Sequence, residues 1–381
     1  MFASPKKSKL LVFDEVSASQ LNPIILDGME FVVLSKRGER YYLGANILLK
    51  FISNLGQIKR NYILRWSFDF RQFKGLLYVA YLLAWIQCVR PRVVITFIDN
   101  DWQFQMLSRL YCDALFIAIQ NGVRSEFNLR FDLPIHTHPG ARISMPLLYC
   151  FGQCETEIYP EYGHLVDKLI PVGSIRASWY REEIAPKINI QIVYDILLIS
   201  QWERTIMIDG CYPEILHSLD KMNDYIKTYL SRGYFRFGVA LRSNESEEKE
   251  FFRKSYGENV KLIERNVERM SSYFAIDQSD TVIVFDSTIG REAYGWGKKV
   301  LFVNYTAHEM YYTPVDPSCY IDEEDFHKFE LKLTSLINES NYAFRIRTEC
   351  SREWIMNNAK NSYDCAHNKI RNDLKTMLSQ G

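Results

Sequence analysis

The sequence predicts an α/β protein of two Rossmann-like domains facing a cleft, and three observations lead there. Short β-branched or apolar runs alternate along most of the chain with longer helical patterns, which is the sequence form of βαβ units and of parallel sheets covered by helices. The alternation breaks over 181–191 (REEIAPKINIQ), where a proline sits among charged residues, and then restarts with a fresh strand pattern. The length, 381 residues at 47% hydrophobic content, is more than one core usually organises and enough for two.

The first series places strands at 10–13, 31–34, 93–98, 114–119, 147–151 and 168–172. Two of them run directly into a loop and helix, FIDNDWQFQMLSRLY after the third and CETEIYPEYGHLV after the fifth. The apolar run 75–89 is shorter than the ~20 residues that span a bilayer and reads as a buried helix. Strands of the second series are expected at 194–200, 235–241, 260–263, 281–285 and 300–303, with helices near 213–231, 247–256, 269–275 and 291–296. Three more helices, near 323–338, 343–358 and 363–378, complete the chain. The expected domains are therefore 1–187 and 188–360, with 361–381 a C-terminal helix returning to the first.

Composition excludes several function classes. Lys plus Arg equals Asp plus Glu at 46 each, so no global field favours nucleic acid, and no nucleic-acid partner is expected. Lys6, Lys7 and Lys9 precede an apolar run too short for a signal-peptide core, so the expected location is cytoplasmic. The segment 59–74 mixes Lys59, Arg60, Arg65, Arg71 and Lys74 with five aromatic residues. It suits either contact with lipid headgroups at the inner membrane face or a solvated surface beside a core helix. Eight cysteines lack zinc spacing and read as thiols in a reducing compartment, and His136 and His138 share a loop without a visible partner. Neither a metal nor a cofactor is expected.

The most informative segment is 281–304, TVIVFDSTIGREAYGWGKKVLFVN: a buried strand, the turn Asp286-Ser287-Thr288, a helix, and another buried strand. Ser287 and Thr288 fall where unpaired helix NH groups point outward, a place for a phosphate. Gly290 would allow close approach of a ligand, Arg291 could grip phosphate, and Glu292 could accept hydrogen bonds from ribose hydroxyls. Equally, Asp286 or Ser287 could simply cap the helix while Glu292 meets its dipole.

The stretch DSTIGREAYGWGKKVLFVN resembles the S-T-x-G-x-E-A-x-x-x-G-K donor-site signature of bacterial surface-carbohydrate and capsular polysaccharide biosynthesis transferases of the GT-B type. IAIQNGVRS and IPVGSIR in the first half are similar to that family's I-Q-x-G and P-x-G-S turns. The resemblance implies a GT-B glycosyltransferase with an acceptor domain first and a nucleotide-sugar donor domain second. Donor phosphate would fall on Ser287 and Thr288, and the ribose on Glu292. Kdo-transferase relatives carry a His-Pro pair where this chain has Arg242, in FGVALRSNESEE. By analogy the donor is a CMP-linked acidic sugar such as Kdo or a nonulosonic acid, or else a UDP-sugar, and the acceptor a surface glycan or glycolipid. A sugar-nucleotide 2-epimerase, a polyol-phosphate transferase and a non-catalytic sugar-binding protein are the alternatives.

Transfer to a hydroxyl by inversion needs a general base, and strand-end carboxylates supply one. Asp99 in the FIDND turn is the first candidate, with Asn100 beside it. Asp101 is the second, or the N-cap of the helix from Trp102; Asp14 and Glu15 stand in reserve. Gln120, Asn121, Gly122, Arg124 and Glu126 offer mixed polar groups to an acceptor, as an ordinary polar turn would. Gly173 and Ser174, with Arg176 beyond them, close the first domain at the cleft. Ser200 and Gln201 end the first strand of the second domain beside the donor phosphate.

Overall fold

A computed structural model describes residues 5–36, 42, 44–61, 70–124, 143–267, 269–308, 311–357 and 365–379. Glu126, His136, His138 and part of the basic-aromatic segment 59–74 lie outside the described residues. The first series runs β1 (Leu10–Phe13), α1 (Glu15–Leu21), β2 (Val32–Leu34), α2 (Ala45–Asn61), α3 (Phe70–Val89), β3 (Val93–Thr96), α4 (Trp102–Leu110), β4 (Leu115–Ile119), β5 (Ser144–Cys150), α5 (Gln153–Glu161), β6 (Leu165–Pro171) and α6 (Ile175–Trp179). A π-helical turn and a 3-10 turn, Tyr180–Ile184 and Ala185–Lys187, lead to the second series. It comprises β7 (Tyr194–Ile199), α7 (Arg204–Met207), α8 (Pro213–Leu230), β8 (Phe237–Ala240), α9 (Ser246–Tyr256), β9 (Lys261–Ile263), α10 (Ser271–Asp277), β10 (Ser279–Val284), α11 (Thr288–Gly295), β11 (Lys299–Val303), β12 (Tyr320–Ile321), α12 (Phe326–Asn338), α13 (Asn341–Arg347), α14 (Glu349–Ile355) and α15 (Ala366–Ser379).

The strands form two parallel six-stranded sheets, ordered β2-β1-β3-β4-β5-β6 and β12-β11-β10-β7-β8-β9, which is the expected fold class. Strand alternation divides β1 between two cores: Leu11 and Phe13 pack under α3 and α4, while Leu10 and Val12 pack under α1 and α15. The apolar run 75–89 lies in α3, and no helix among the described residues is long and apolar enough to cross a membrane. All eight cysteines are free thiols. Order reverses between β1 and β3 in one sheet and between β7 and β10 in the other, and crevices of open parallel sheets form at such points, beyond the strands' carboxyl ends.

Three departures from the expected elements have local causes. Strand β12 is a two-residue edge pairing with β11, too short for any periodicity. β5 and β6 start three residues early, because backbone pairing from Ser144↔Leu165 onward carries polar residues that read as loop. The expected helix 343–358 is two helices, divided at Thr348, whose hydroxyl and NH both bond to the Phe344 carbonyl at 2.7 and 3.0 Å.

After α14 the chain returns to the first sheet across two glycines. Asn357 NH donates to the Phe151 carbonyl at 2.7 Å and its side-chain amide to the Pro171 carbonyl at 2.8 Å. A Cβ on Gly152 would lie 2.3 Å from the Trp354 carbonyl oxygen, and one on Gly173 would lie 2.1 Å from that of Asn357. Beyond the crossing, α15 buries Ala366, Ile370 and Leu374 against the first sheet, and its Asp373 accepts from the Tyr149 hydroxyl at 2.8 Å. Overpacking predicts that Gly152→Ala costs about 1–3 kcal/mol. Gly173→Ala should cost more, since its φ of +88° adds left-handed strain. Gly56→Ala, in α2 with open space around it, should be neutral or stabilise by up to about 1 kcal/mol. Urea denaturation of the three variants checks the order.

Candidate functional site

A cleft of about 920 Å³ lies along the carboxyl ends of both sheets. The second sheet contributes Ser200 and Gln201 after β7, Arg242 after β8, Arg265 and Asn266 after β9, and residues 286–289 after β10. The first contributes Ser19 and Gln20 from α1, Asn121 after β4, and Arg176 and Trp179 from α6.

Helix α11 begins directly after the buried strand β10 with Ser287 as N-cap, and the Ser287 side chain makes no capping hydrogen bond. The first-turn NH groups of α11 are therefore not satisfied by their own cap and present the positive end of the helix to the cleft. Thr288 faces the opposite wall, its Oγ1 accepting from the Val123 NH at 3.2 Å. Gly122 stands at the same contact: a Cβ there would lie 3.4 Å from Thr288 Oγ1.

Glu292, one turn further, is 4% exposed and lies at the cleft wall. One carboxylate oxygen accepts from the Ser174 hydroxyl, the other from the Tyr273 hydroxyl at 2.7 Å. Ser174 also caps α6, accepting from Ala177 NH at 3.2 Å, so one hydroxyl serves the helix and the carboxylate. Burial raises the Glu292 carboxyl above its ordinary value of 4.5, opposed by the two hydroxyl hydrogen bonds and by the charge of Arg176. Arg176 donates to Gln20 Oε1 at 2.9 Å and stacks over the Phe97 ring at 4.9 Å, and its buried Nε has no partner among the described residues.

Two members of the 281–304 segment have structural roles that the sequence did not show. Gly290 packs on the strand behind it: a Cβ there would meet Val284 Cγ1 at 2.8 Å, so close helix–strand packing explains the glycine without any ligand. Arg291 is 5% exposed, bonds to Asp286 at 3.3 Å, and is absent from the cleft wall. In this placement Arg291 meets Asp286, which itself lines the cleft, rather than the cleft directly.

In the loop after β8, Arg242 reaches the wall and pairs with Glu203 at 2.8 Å, and its carbonyl accepts from Arg265 at 3.0 Å. Glu248, six residues after Arg242 in FGVALRSNESEE, is fully buried. It accepts from the NH groups of Arg242, Ser243 and Asn244 at 2.7, 2.8 and 3.1 Å, and from the Ser200 hydroxyl at 2.5 Å. Its place in the first turn of α9, reaching back to the loop before the helix, is the one sequence signal that could have found it. Ser200 is thus held by Glu248 and itself accepts from Trp202 NH, while Gln201 stands beside it on the wall.

The first-sheet candidates divide into wall and support. Asn121 lines the cleft. Asp99 does not: it is 2% exposed, receives Arg124 at 2.6 and 3.0 Å and Asn121 NH at 3.2 Å, and so fastens the loop after β4. Asp101 caps α4 through Gln103 NH and Phe104 NH at 2.9 and 3.0 Å and pairs with Lys36; neighbouring Asn100 is half-buried. Gln120 is buried too, accepting from Phe151 NH at 2.9 Å and donating to Glu155 and the Gly122 carbonyl at 3.1 Å each. Asp14 caps α1 through Val16 NH at 2.7 Å, and Glu15 accepts from Ser35. Gly173 serves the crossing described above and Ser174 stands behind the wall, bonded to Glu292, which leaves Arg176 as the cleft group of that turn.

A carboxyl whose pKa is higher folded than unfolded binds its proton more tightly in the native state. Its contribution to stability is full below 4.5 and is lost as pH rises through the raised value. Glu292→Gln removes that loss, so its stability relative to the parent should improve from about pH 4.5 up to the raised value and then level off, read by urea denaturation at each pH. A difference that stays flat across the window would show an unshifted carboxyl.

Among solved structures several are similar to the chain over nearly its full length. Staphylococcus aureus MnaA, solved with UDP, has a TM-score of 0.54 at 13% identity, covering 97% of this chain and 96% of that one. The UDP-GlcNAc 2-epimerase of Neisseria meningitidis bound to UDP-GlcNAc has a TM-score of 0.52 at 15% identity, covering 98% and 99%. The wall teichoic acid polymerase TagF has a TM-score of 0.50 at 12% identity, covering 98% and 90%. At these identities the likeness shows the fold, the two-domain GT-B architecture. No curated protein matches by sequence. A family model does match, over residues 117–321, which take in the walls of the cleft after β4, β7, β8 and β10. By that match, over more than half of its length, the chain belongs to the family described as "putative O-antigen biosynthesis protein".

Proposed function

We propose that the chain is a glycosyltransferase that holds a nucleotide-activated sugar at the second-sheet wall and passes the sugar to a glycan or glycolipid acceptor. The observation that carries this reading is the pairing, at one cleft wall, of an α11 N-terminus without a side-chain cap and the buried carboxylate of Glu292 one turn away. Uncapped NH groups suit phosphate oxygens, and a fixed carboxylate suits ribose hydroxyls. The residues before 188 supply the acceptor side and 188–360 the donor side. Arg242 and Arg265 stand where they can neutralise the departing phosphate without a metal, and Ser200 and Gln201 border the same space.

The donor proposed is a CMP-linked acidic sugar, on the sequence resemblance, with a UDP-sugar the second choice because two structural neighbours hold UDP or UDP-GlcNAc. Transfer is favoured over 2-epimerisation by the opposite wall. Ser19, Gln20 and Asn121 there offer hydroxyl and amide groups to an acceptor. Asp99 enters as a positioning residue that fixes Asn121 through the backbone and Arg124.

Calorimetric titration with CMP, UDP and GDP, without and then with magnesium, tests the donor site. One nucleotide should bind without metal, and Glu292→Gln should weaken it about tenfold. Binding of none of the three would remove the donor reading. Turnover of UDP-GlcNAc alone, with no acceptor, would establish the epimerase instead. Asp99→Asn should leave nucleotide affinity within about twofold and slow transfer without altering the shape of its pH profile. A loss on the order of 10²–10⁴ with one limb of the profile gone would make Asp99 the base itself.

A further inference from the structure

Helix α2 packs on α3 through one side only, with Ile47, Asn54 and Ile58 buried. Its opposite side, formed by Ala45, Leu48, Leu49, Ile52, Ser53 and Gly56, is exposed throughout. These positions follow the three- and four-residue spacing of one helical stripe. Leu48, Leu49 and Ile52 are 54%, 68% and 59% exposed, and no charged residue interrupts them. Single exposed aliphatic residues elsewhere, such as Leu165 and Leu331, are ordinary; three within two turns make a patch.

Charge decides what such a patch meets. The chain as a whole has no net charge, yet α2 carries Lys50, Lys59 and Arg60 and no acid. Lys74, on α3, is exposed as well. A second copy docked on the same stripe would set two such cationic stretches together, which Coulomb repulsion opposes. An anionic lipid surface answers both features, accepting the aliphatic side chains at the headgroup–acyl boundary and the lysines and arginines at the phosphates.

We infer that the outer face of α2 docks the protein on an anionic bilayer. This inference stands apart from the nucleotide reading, because nothing in it requires a donor.

The test is co-sedimentation of the full chain with vesicles of phosphatidylethanolamine and phosphatidylglycerol, against vesicles of phosphatidylcholine alone. Binding to the first and not the second, weakened by salt, is expected. Leu48→Ser combined with Leu49→Ser should lower partitioning at least about tenfold. Ile52→Ser should lower it less, and Leu331→Ser, at a similarly exposed site on α12, should leave it unchanged. The replaced side chains are exposed, so melting curves should match the parent, and nucleotide titration of the same variants separates this result from any failure of the donor site. No vesicle binding by the parent overturns the inference, as does equal binding by the double variant. A parent dimer that the double variant converts to monomer, without vesicle binding, would assign the face to a second copy.

Discussion

The cleft depends on a buried carboxylate shared between the two sheets. Glu292 stands on the second sheet's α11, and its oxygens are taken by Ser174 from the first sheet and Tyr273 from α10. Removing a carboxylate from water is costly, and hydroxyl donors placed on both sides of the interface offset that cost only while the sheets keep this arrangement. The Thr288–Val123 hydrogen bond acts at the same level of the cleft. These contacts between the domains also shape the proposed donor site, and whatever displaces Ser174 also alters Glu292.

A second constraint comes from the C-terminal return. The chain crosses from α14 to α15 over Gly152 and Gly173, where any side chain would strike a carbonyl oxygen. Gly173 directly precedes Ser174, so the crossing strand, the α6 cap and the Glu292 hydrogen bond form one continuous assembly. α15 then closes the inner face of the first sheet through Ile370 and Leu374, with Arg371 donating to the Ile24 carbonyl at 2.8 Å. The end of the sequence thus stabilises its beginning.

Below the loops, buried polar groups do the positioning. Asp99 with Arg124 holds the loop after β4, Gln120 with Glu155 joins the ends of β4 and β5, and Glu248 gathers three consecutive NH groups after β8. The first and the last of these leave a neighbour at the cleft, Asn121 and Arg242. Such supporting groups look like ordinary polar residues in a sequence, because what distinguishes them is burial.

The sequence by itself determined the parts that follow from periodicity and local chemistry. Apolar strands such as 93–96 and 281–284, the break near 181–191, the turn Asp286-Ser287-Thr288 before a helix, and Asp101 as a cap are all readable from neighbours in the chain. The two-residue strand β12, the division at Thr348, the burial of Glu248 and the turning of Arg291 away from the cleft were decided only by tertiary structure. So was the meeting of Ser174 with Glu292, which are 118 residues apart. Local pattern fixes which residues can stand at a strand end. Whether such a residue faces the cleft or supports it depends on what the rest of the chain packs against it, and that information is not local.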